Sequence, residues 1–67
     1  MRGLGEIRRK KKLNQLEVAR ALNISREALS HYETGKREPS LRMLVEMSKY
    51  FNVSIHYLIT GEEFAKK

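Results

Sequence analysis

Hydrophobic residues recur along this chain at the three- and four-residue spacing of amphipathic helices. Gly35 and Pro39 form the one strong internal break, because glycine favours a left-handed turn and proline cannot continue a helix. Five helical segments follow from the spacing, at about residues 4–12, 14–23, 25–34, 40–51 and 54–60. The pattern therefore predicts an all-α fold.

The ends of the second and third segments carry start and stop residues. Asn14 and Glu17 have the spacing of a capping box, in which each side chain bonds the backbone N–H of the other residue. Asn23 suits the left-handed end of a helix, Ser25 is a good N-cap, and Gly35 can end the third helix. Two short helices joined by so tight a turn make a helix-turn-helix.

The third segment has one apolar and one polar face. At about 100° per residue, Leu29 lies at the centre of the buried face. Ala28, Tyr32 and Glu33 fall beside it. The opposite face consists of side chains that can donate or accept hydrogen bonds: Arg26, Glu27, Ser30, His31 and Thr34. A helix that lies against DNA needs a face of this kind.

The fourth and fifth segments each carry an apolar stripe. In the fourth, with Met47 beside them, we expect these residues to be buried: Leu41, Leu44, Val45, Ser48 and Phe51. In the fifth, the apolar positions are Ile55, Leu58 and Ile59. Residues 62–67 are expected to form a tail, so residues 1–67 are predicted to be a single domain with its core at 4–61.

Charge and composition narrow the function. The 67 residues carry 14 Lys and Arg against 8 Asp and Glu, and the whole net charge of +6 lies in residues 1–37. This concentration of positive charge in the first half of the chain favours a polyanionic partner, either nucleic acid or an anionic membrane. With no Cys, no Asp and 2 His, the chain offers neither a thiolate nor a usual metal-ligand cluster. We therefore expect no enzyme activity, no metal and no cofactor.

A membrane is the weaker of the two polyanionic partners. No apolar run approaches the ~18 residues that a membrane span needs, and the charged start lacks the apolar core of a signal peptide. The apolar stripes are needed for one shared core rather than for a lipid surface. We expect a cytoplasmic protein, associated with the nucleoid, that has no membrane partner.

Two stretches of the chain carry a more specific signal. They read QLEVARALNIS from Gln15 and LSHYETGKREPS from Leu29, and residues 44–58 continue them. In order and spacing they resemble the Cro/repressor-type (XRE) helix-turn-helix family over about residues 4–61. The resemblance implies a five-helix, lambda-repressor-like DNA-binding domain whose third helix, the recognition helix, enters the major groove of double-stranded DNA.

The resemblance also implies roles for individual residues. The side chains placed to face bases are Gln15, Ser25, Arg26, Glu27, Ser30 and His31. The side chains placed to meet phosphates are Asn14, Gln15, Lys36, Arg37 and Ser40. Chemically, Arg26 can bind guanine through two hydrogen bonds, and Glu27 can accept one from cytosine. Alternatively, Glu27 only orients Arg26 or is repelled by the DNA.

The family pattern further implies a semi-buried ion pair between Arg8 on the first helix and Glu33 at the end of the third. The alternative is that both side chains are exposed and make no contact.

Two positions depart from the pattern. Lys12 stands where glycine is common, so the end of the first helix is expected to be strained or differently shaped. Leu16 stands where a polar residue is usual, and it is either exposed or packed on a neighbour.

One short recognition helix reads only a few base pairs, and members of this family bind as dimers. We expect a homodimer formed through the C-terminal helix by Tyr57, Ile59 and Phe64. The alternative is that Tyr57 and Ile59 cover the core of a monomer.

The predicted function is a sequence-specific transcriptional regulator, a repressor at a palindromic operator. The alternative function is an antitoxin-type or bridging module on the same fold, with a second protein as partner.

Overall fold

The computed structural model describes residues 1–63, and five α-helices follow one another in that range. They are α1 (Arg2–Lys10), α2 (Gln15–Leu22), α3 (Arg26–Thr34), α4 (Leu41–Phe51) and α5 (Ile55–Thr60). The described residues contain no strand, which confirms the prediction of an all-α fold.

The first helix lies closer to the start of the chain than the predicted range of residues 4–12. It ends at Lys10 because Lys11 is the C-cap and Lys12 adopts a φ of 60°. A residue with positive φ cannot continue a right-handed helix, and in this region glycine is the residue that pays no steric penalty. The turn after α1 therefore has the left-handed shape for which glycine is better suited, although lysine occupies the position.

The predicted ends of α2 and α3 are confirmed. Asn14 Oδ1 accepts from Glu17 N and Glu17 Oε1 accepts from Asn14 N, both at 2.8 Å, which completes the capping box. Asn23 is left-handed with a φ of 61°. Ser25 Oγ accepts from the backbone N–H of Ala28 at 2.9 Å, and Gly35 ends α3 with a φ of 84°. Local chemistry thus sets the limits of the helix-turn-helix.

One core joins all five helices. α1 packs against α5 and α3, α2 packs against α3, and α4 packs against α5. The largest fully buried side chains are Leu4, Val18, Leu29, Met47, Phe51 and Leu58. Burying an apolar side chain of this size contributes about 1.5–3 kcal/mol, so these residues fix how α2 and α3 sit on the rest of the domain.

Glycine at position 3 permits the close contact between α1 and α5. A Cβ built on Gly3 would lie 1.7 Å from the carbonyl oxygen of Tyr57 and 3.1 Å from the backbone nitrogen of Gly61. Both are backbone atoms, so they cannot move aside by a change of rotamer. The absence of a side chain at Gly3 therefore sets the distance between the two helices.

The predicted buried stripe of α4 is wrong in part. Met47 and Phe51 are buried, but Leu41 is 81% exposed and Val45 is 42% exposed. The helix is turned so that Met43, Met47 and Phe51, spaced four residues apart, face the core. Leu41 and Val45 are consequently left on the outside of the domain.

The fifth helix also departs from the expectation. Tyr57 is only 7% exposed and belongs to the core, so the premise that it offers an exposed dimer contact is wrong. The chain turns back towards α1 at this point, and α5 packs on α1 through Tyr57 and Leu58. Ile59 points outwards and is 49% exposed. Phe64 lies outside the described residues.

Candidate nucleic-acid interface

Side chains from the start of α2 and the outer face of α3 surround one shallow depression of about 250 Å³. The residues that line it are Gln15, Arg26, Glu27, Ser30 and His31. Of the side chains that the resemblance implied to face bases, all line this depression except Ser25, which is exposed at the N-cap of α3. The set brings together donors, acceptors and both signs of charge.

The packing of α3 explains why this face is outermost. Leu29 and Tyr32 are buried, and this fixes the inner face of the helix on the core. Ala19 on α2 is 1% exposed, and its small side chain lets α2 and α3 approach. The backbone N–H of Ile24 donates to the carbonyl of Ala19 at 2.9 Å, which closes the turn between the helices. Residues on the opposite side of α3 are thereby turned to solvent.

A second depression of about 480 Å³ adjoins the first. It is lined by Arg8, Asn14, Gln15, Leu16 and Arg26, so Gln15 and Arg26 belong to both depressions. The capping box uses the backbone N–H groups of Asn14 and Glu17, whereas those of Gln15 and Leu16 have no acceptor within the helix. Leu16 is 45% exposed, which agrees with the exposed alternative for this residue.

The remaining phosphate candidates lie on the loop after α3. Lys36 and Arg37 are exposed, and the guanidinium carbon of Arg37 lies 5.9 Å from the centre of the Tyr32 ring. Ser40 is the N-cap of α4, and its Oγ accepts from the N–H of Met43 at 3.1 Å. None of the three side chains lines the two depressions described above. All three residues are exposed, and two of them are cationic.

Arg8 and Glu33 form the pair that the family pattern implies. The Nε atom of Arg8 lies 2.6 Å from Oε2 of Glu33, and Nη2 donates to Oε1 at 3.2 Å. The side chains are only 12% and 9% exposed. The third nitrogen of the guanidinium, Nη1, donates to the carbonyl of Leu13 at 3.0 Å. The pair therefore ties α1, α3 and the turn before α2 together.

Sequence reasoning missed a further contact of Glu33. Its Oε1 atom also accepts a hydrogen bond from Nε2 of Gln15 at 3.0 Å. The two residues are 18 positions apart, so no local pattern could have linked them. A side chain at the edge of the depression is thus bonded to the carboxylate that joins α1 to α3.

His31 presents only part of its ring to the depression. Its Nδ1 atom is buried and has no hydrogen-bond partner in the described part of the chain. Since buried polar atoms are usually paired, this atom is an exception.

In residues 1–63, no cluster of three or more His, Cys, Asp or Glu side chains could hold a metal ion. Within the same range, no helix has both the length and the apolar character that a membrane crossing requires.

These features define a class of protein: a small all-α domain in which a helix-turn-helix presents a polar face. A sequence model of the helix-turn-helix family matches residues 4–58, which is most of the chain. The chain belongs to the helix-turn-helix family of the XRE type. Its five helices agree with the lambda-repressor-like fold that the resemblance implied.

Curated relatives carry names that fit this family. The chain is 41% identical over 63 residues to the HTH-type transcriptional regulator YqaE of Bacillus subtilis, covering 94% of this chain and 54% of that protein. It is 42% identical over 60 residues to the HTH-type transcriptional activator BcrR of Enterococcus faecalis, covering 90% and 29%. It is 37% identical over 62 residues to the antitoxin PezA of Streptococcus pneumoniae, covering 92% and 39%. The chain spans about half the length of these relatives or less.

Proposed function

We propose that this chain is a DNA-binding transcriptional regulator that reads a specific duplex sequence with α3 in the major groove. The observation that carries the proposal is the convergence of Gln15, Arg26, Glu27, Ser30 and His31 at one solvent-facing depression. The family match and the names of the relatives support the same function. We further propose that the chain acts in the cytoplasm at the nucleoid, as a repressor that occupies promoter DNA.

The chemistry of the depression assigns a task to each of two charged residues. Arg26 can donate two hydrogen bonds to O6 and N7 of guanine, which is the commonest specific contact in the major groove. Glu27 is its neighbour and can accept a hydrogen bond from N4 of cytosine. Both residues are exposed, so neither has to leave a buried position to reach DNA.

The proposal is tested by selecting bound sites from random duplex DNA at about physiological salt. We expect an enriched inverted repeat whose half-sites are about one helical turn apart, ~10–10.5 base pairs. Arg26→Ala should relax the preference at one position of each half-site and cost about 1–3 kcal/mol in specific binding. Binding without any enriched sequence would contradict the proposal.

We propose that phosphate contacts come from the backbone N–H of Gln15 and from the side chains of Asn14, Lys36, Arg37 and Ser40. If about four groups in each of two subunits meet phosphates, the logarithm of affinity should fall against the logarithm of salt concentration with a slope near −7. Titrations at several salt concentrations measure this slope. A slope near −2 would reject the phosphate contacts, and one near −4 would indicate that a single subunit binds.

We propose that a second copy of this chain covers the exposed apolar side chains of α4 and α5, which are Leu41, Val45 and Ile59. These side chains are 81%, 42% and 49% exposed, and their burial in a dimer would remove apolar surface from water. Ile59→Lys should lower the sedimentation mass towards that of one chain. Tyr50→Lys is the control, because Tyr50 is a similarly exposed residue of α4 outside this set, and the change should leave the mass unchanged. A wild-type mass of one chain, both with and without DNA, contradicts the dimer.

An antitoxin-type module remains the second candidate function, and one observation favours it: the similarity to a relative named as an antitoxin. Such a module would bind a second protein through a surface other than the polar outer face of α3. Co-purification of one small protein at equal stoichiometry from the native host would support this function. If no second protein co-purifies and a specific DNA site is enriched, the result supports the transcriptional regulator and rejects the antitoxin-type module.

A further inference from the structure

Glu33 contacts the scaffold and the candidate interface at the same time. We propose that Glu33 is a positioning residue for DNA reading. It fixes the side chain of Gln15 so that the carbonyl oxygen of Gln15 faces the DNA and selects a base with an exocyclic amino group. The inference rests on the proposed function, because it states how one side chain of the same interface reads DNA.

The carboxylate of Glu33 is itself held in place. Oε2 accepts from Nε of Arg8 at 2.6 Å, while Oε1 accepts from Nη2 of Arg8 at 3.2 Å and from Nε2 of Gln15 at 3.0 Å. Arg8 cannot easily swing away, because it also donates to the carbonyl of Leu13. The side chain of Glu33 is 9% exposed, so little water competes for its oxygens.

This arrangement decides which end of the Gln15 amide points outwards. A carboxylate that is paired with a guanidinium can only accept hydrogen bonds. Gln15 must therefore turn its NH₂ group towards Glu33, since the opposite orientation would place two oxygens against each other. The amide is planar, so its carbonyl oxygen lies on the other arm and points away from the Glu33 carboxylate. Gln15 lines both depressions, and we infer that this oxygen is the end of the amide that faces them.

An outward carbonyl oxygen has a definite preference on DNA. Phosphates offer only acceptors, and in the major groove the hydrogen-bond donors are N6 of adenine and N4 of cytosine. The oxygen of Gln15 therefore favours one of these two bases over guanine and thymine. Adenine fits best, because the second hydrogen of Nε2 remains free to donate to its N7 atom.

Without the carboxylate, the preference should relax. In Glu33→Gln, the new side chain keeps its shape but offers both a donor and an acceptor, so Gln15 can turn either way. Position 33 would then no longer dictate whether an oxygen or an NH₂ group faces the base. A residue that acted only on stability would lower binding to all sequences alike.

The experiment compares selected DNA sites for the wild type, Glu33→Gln, Gln15→Ala and the double variant, each well below its melting temperature. We expect the wild type to prefer adenine or cytosine by about tenfold at one position. Both single variants should lose most of that preference at the same position, and the double variant should lose no more. Glu6→Gln is the matched control, because it makes the same change in the exposed Arg2–Glu6 pair of α1 and should leave the preference intact.

A second measurement requires no DNA. In the free protein, the Gln15 side-chain amide proton that is donated to Glu33 should resonate downfield of its position in an exposed glutamine and should exchange slowly with water. Glu33→Gln should move both its chemical shift and its exchange rate towards those of an exposed glutamine. If Glu33→Gln fails to fold, the paired variant Arg8→Leu with Glu33→Gln removes both charges and serves instead.

The outcomes separate this inference from the proposed function. An unchanged base preference in Glu33→Gln, or amide protons of Gln15 like those of an exposed glutamine, overturns the positioning role alone. Preference at that position for guanine or thymine overturns it as well. Wild-type protein that enriches no sequence overturns the proposed function, and the positioning role with it.

Discussion

Glu33→Arg is expected to lower the free energy of unfolding by about 3–5 kcal/mol and the melting temperature by about 12 °C or more. The change places two guanidinium groups together where Arg8 is only 12% exposed. It also removes the acceptor of both Arg8 and Gln15. The Arg8 donors then lose their partner in a site that water scarcely reaches. Thermal unfolding followed by circular dichroism measures the loss.

The reversed pair, Arg8→Glu with Glu33→Arg, should recover part of this loss, because opposite charges again face each other. Recovery will be incomplete, since a glutamate at position 8 cannot donate to the carbonyl of Leu13. The exposed Arg2–Glu6 pair supplies the control, with side chains that are 74% and 39% exposed. Reversing Glu6 should change stability by about 0.5 kcal/mol or less. If the charge reversals at positions 8 and 33 have small and independent effects on the melting temperature, the ion pair contributes nothing to stability.

Gly3→Ala is expected to be the second most damaging change, lowering stability by about 2–3 kcal/mol. Alanine normally favours a helix over glycine by about 1 kcal/mol. Here, however, the new methyl group would lie 1.7 Å from the carbonyl oxygen of Tyr57. That oxygen accepts from the N–H of Gly61 at 2.7 Å, so it is held by the end of α5. The two helices must move apart and uncover part of the core, which urea denaturation would detect as a lower midpoint.

Gly5→Ala is the matched control on the same helix. Its Cβ would meet the Nη1 atom of Arg9 at 3.1 Å, which is the far end of a flexible side chain on an exposed residue. The arginine can move, so Gly5→Ala should be neutral or stabilising. Equal effects of the two substitutions would mean that the contact between α1 and α5 does not depend on Gly3.

Features encoded by neighbouring residues could be predicted from the sequence. The capping box of Asn14 and Glu17, the left-handed Asn23 and the N-cap Ser25 each act within one helical turn, so their spacing alone predicts the limits of α2 and α3. The polar outer face of α3 followed from the position of Leu29 and helical geometry.

Features that depend on distant parts of the chain could not be predicted in the same way. α4 contains two overlapping apolar stripes that share Phe51, and only its packing on α5 selects the one with Met47. The sequence pattern predicts an exposed Tyr57, but Tyr57 is buried because α5 packs on α1. The bond between Gln15 and Glu33 joins residues 18 positions apart. Family resemblance supplied Arg8 as the partner of Glu33, but nothing in the pattern suggested Gln15 as well.

At the candidate interface, some residues can be substituted without affecting the rest of the domain, and one residue cannot. Arg26 and Glu27 are exposed and form no ion pair within residues 1–63. Under the proposed function, substitutions at these two positions should give the domain a new target sequence with little loss of stability. Gln15 is different, because its carboxylate partner also holds α1 to α3. If Gln15 reads a base as proposed, a new preference at that base would require a simultaneous change in the contact between α1 and α3, so related proteins should diversify first through α3.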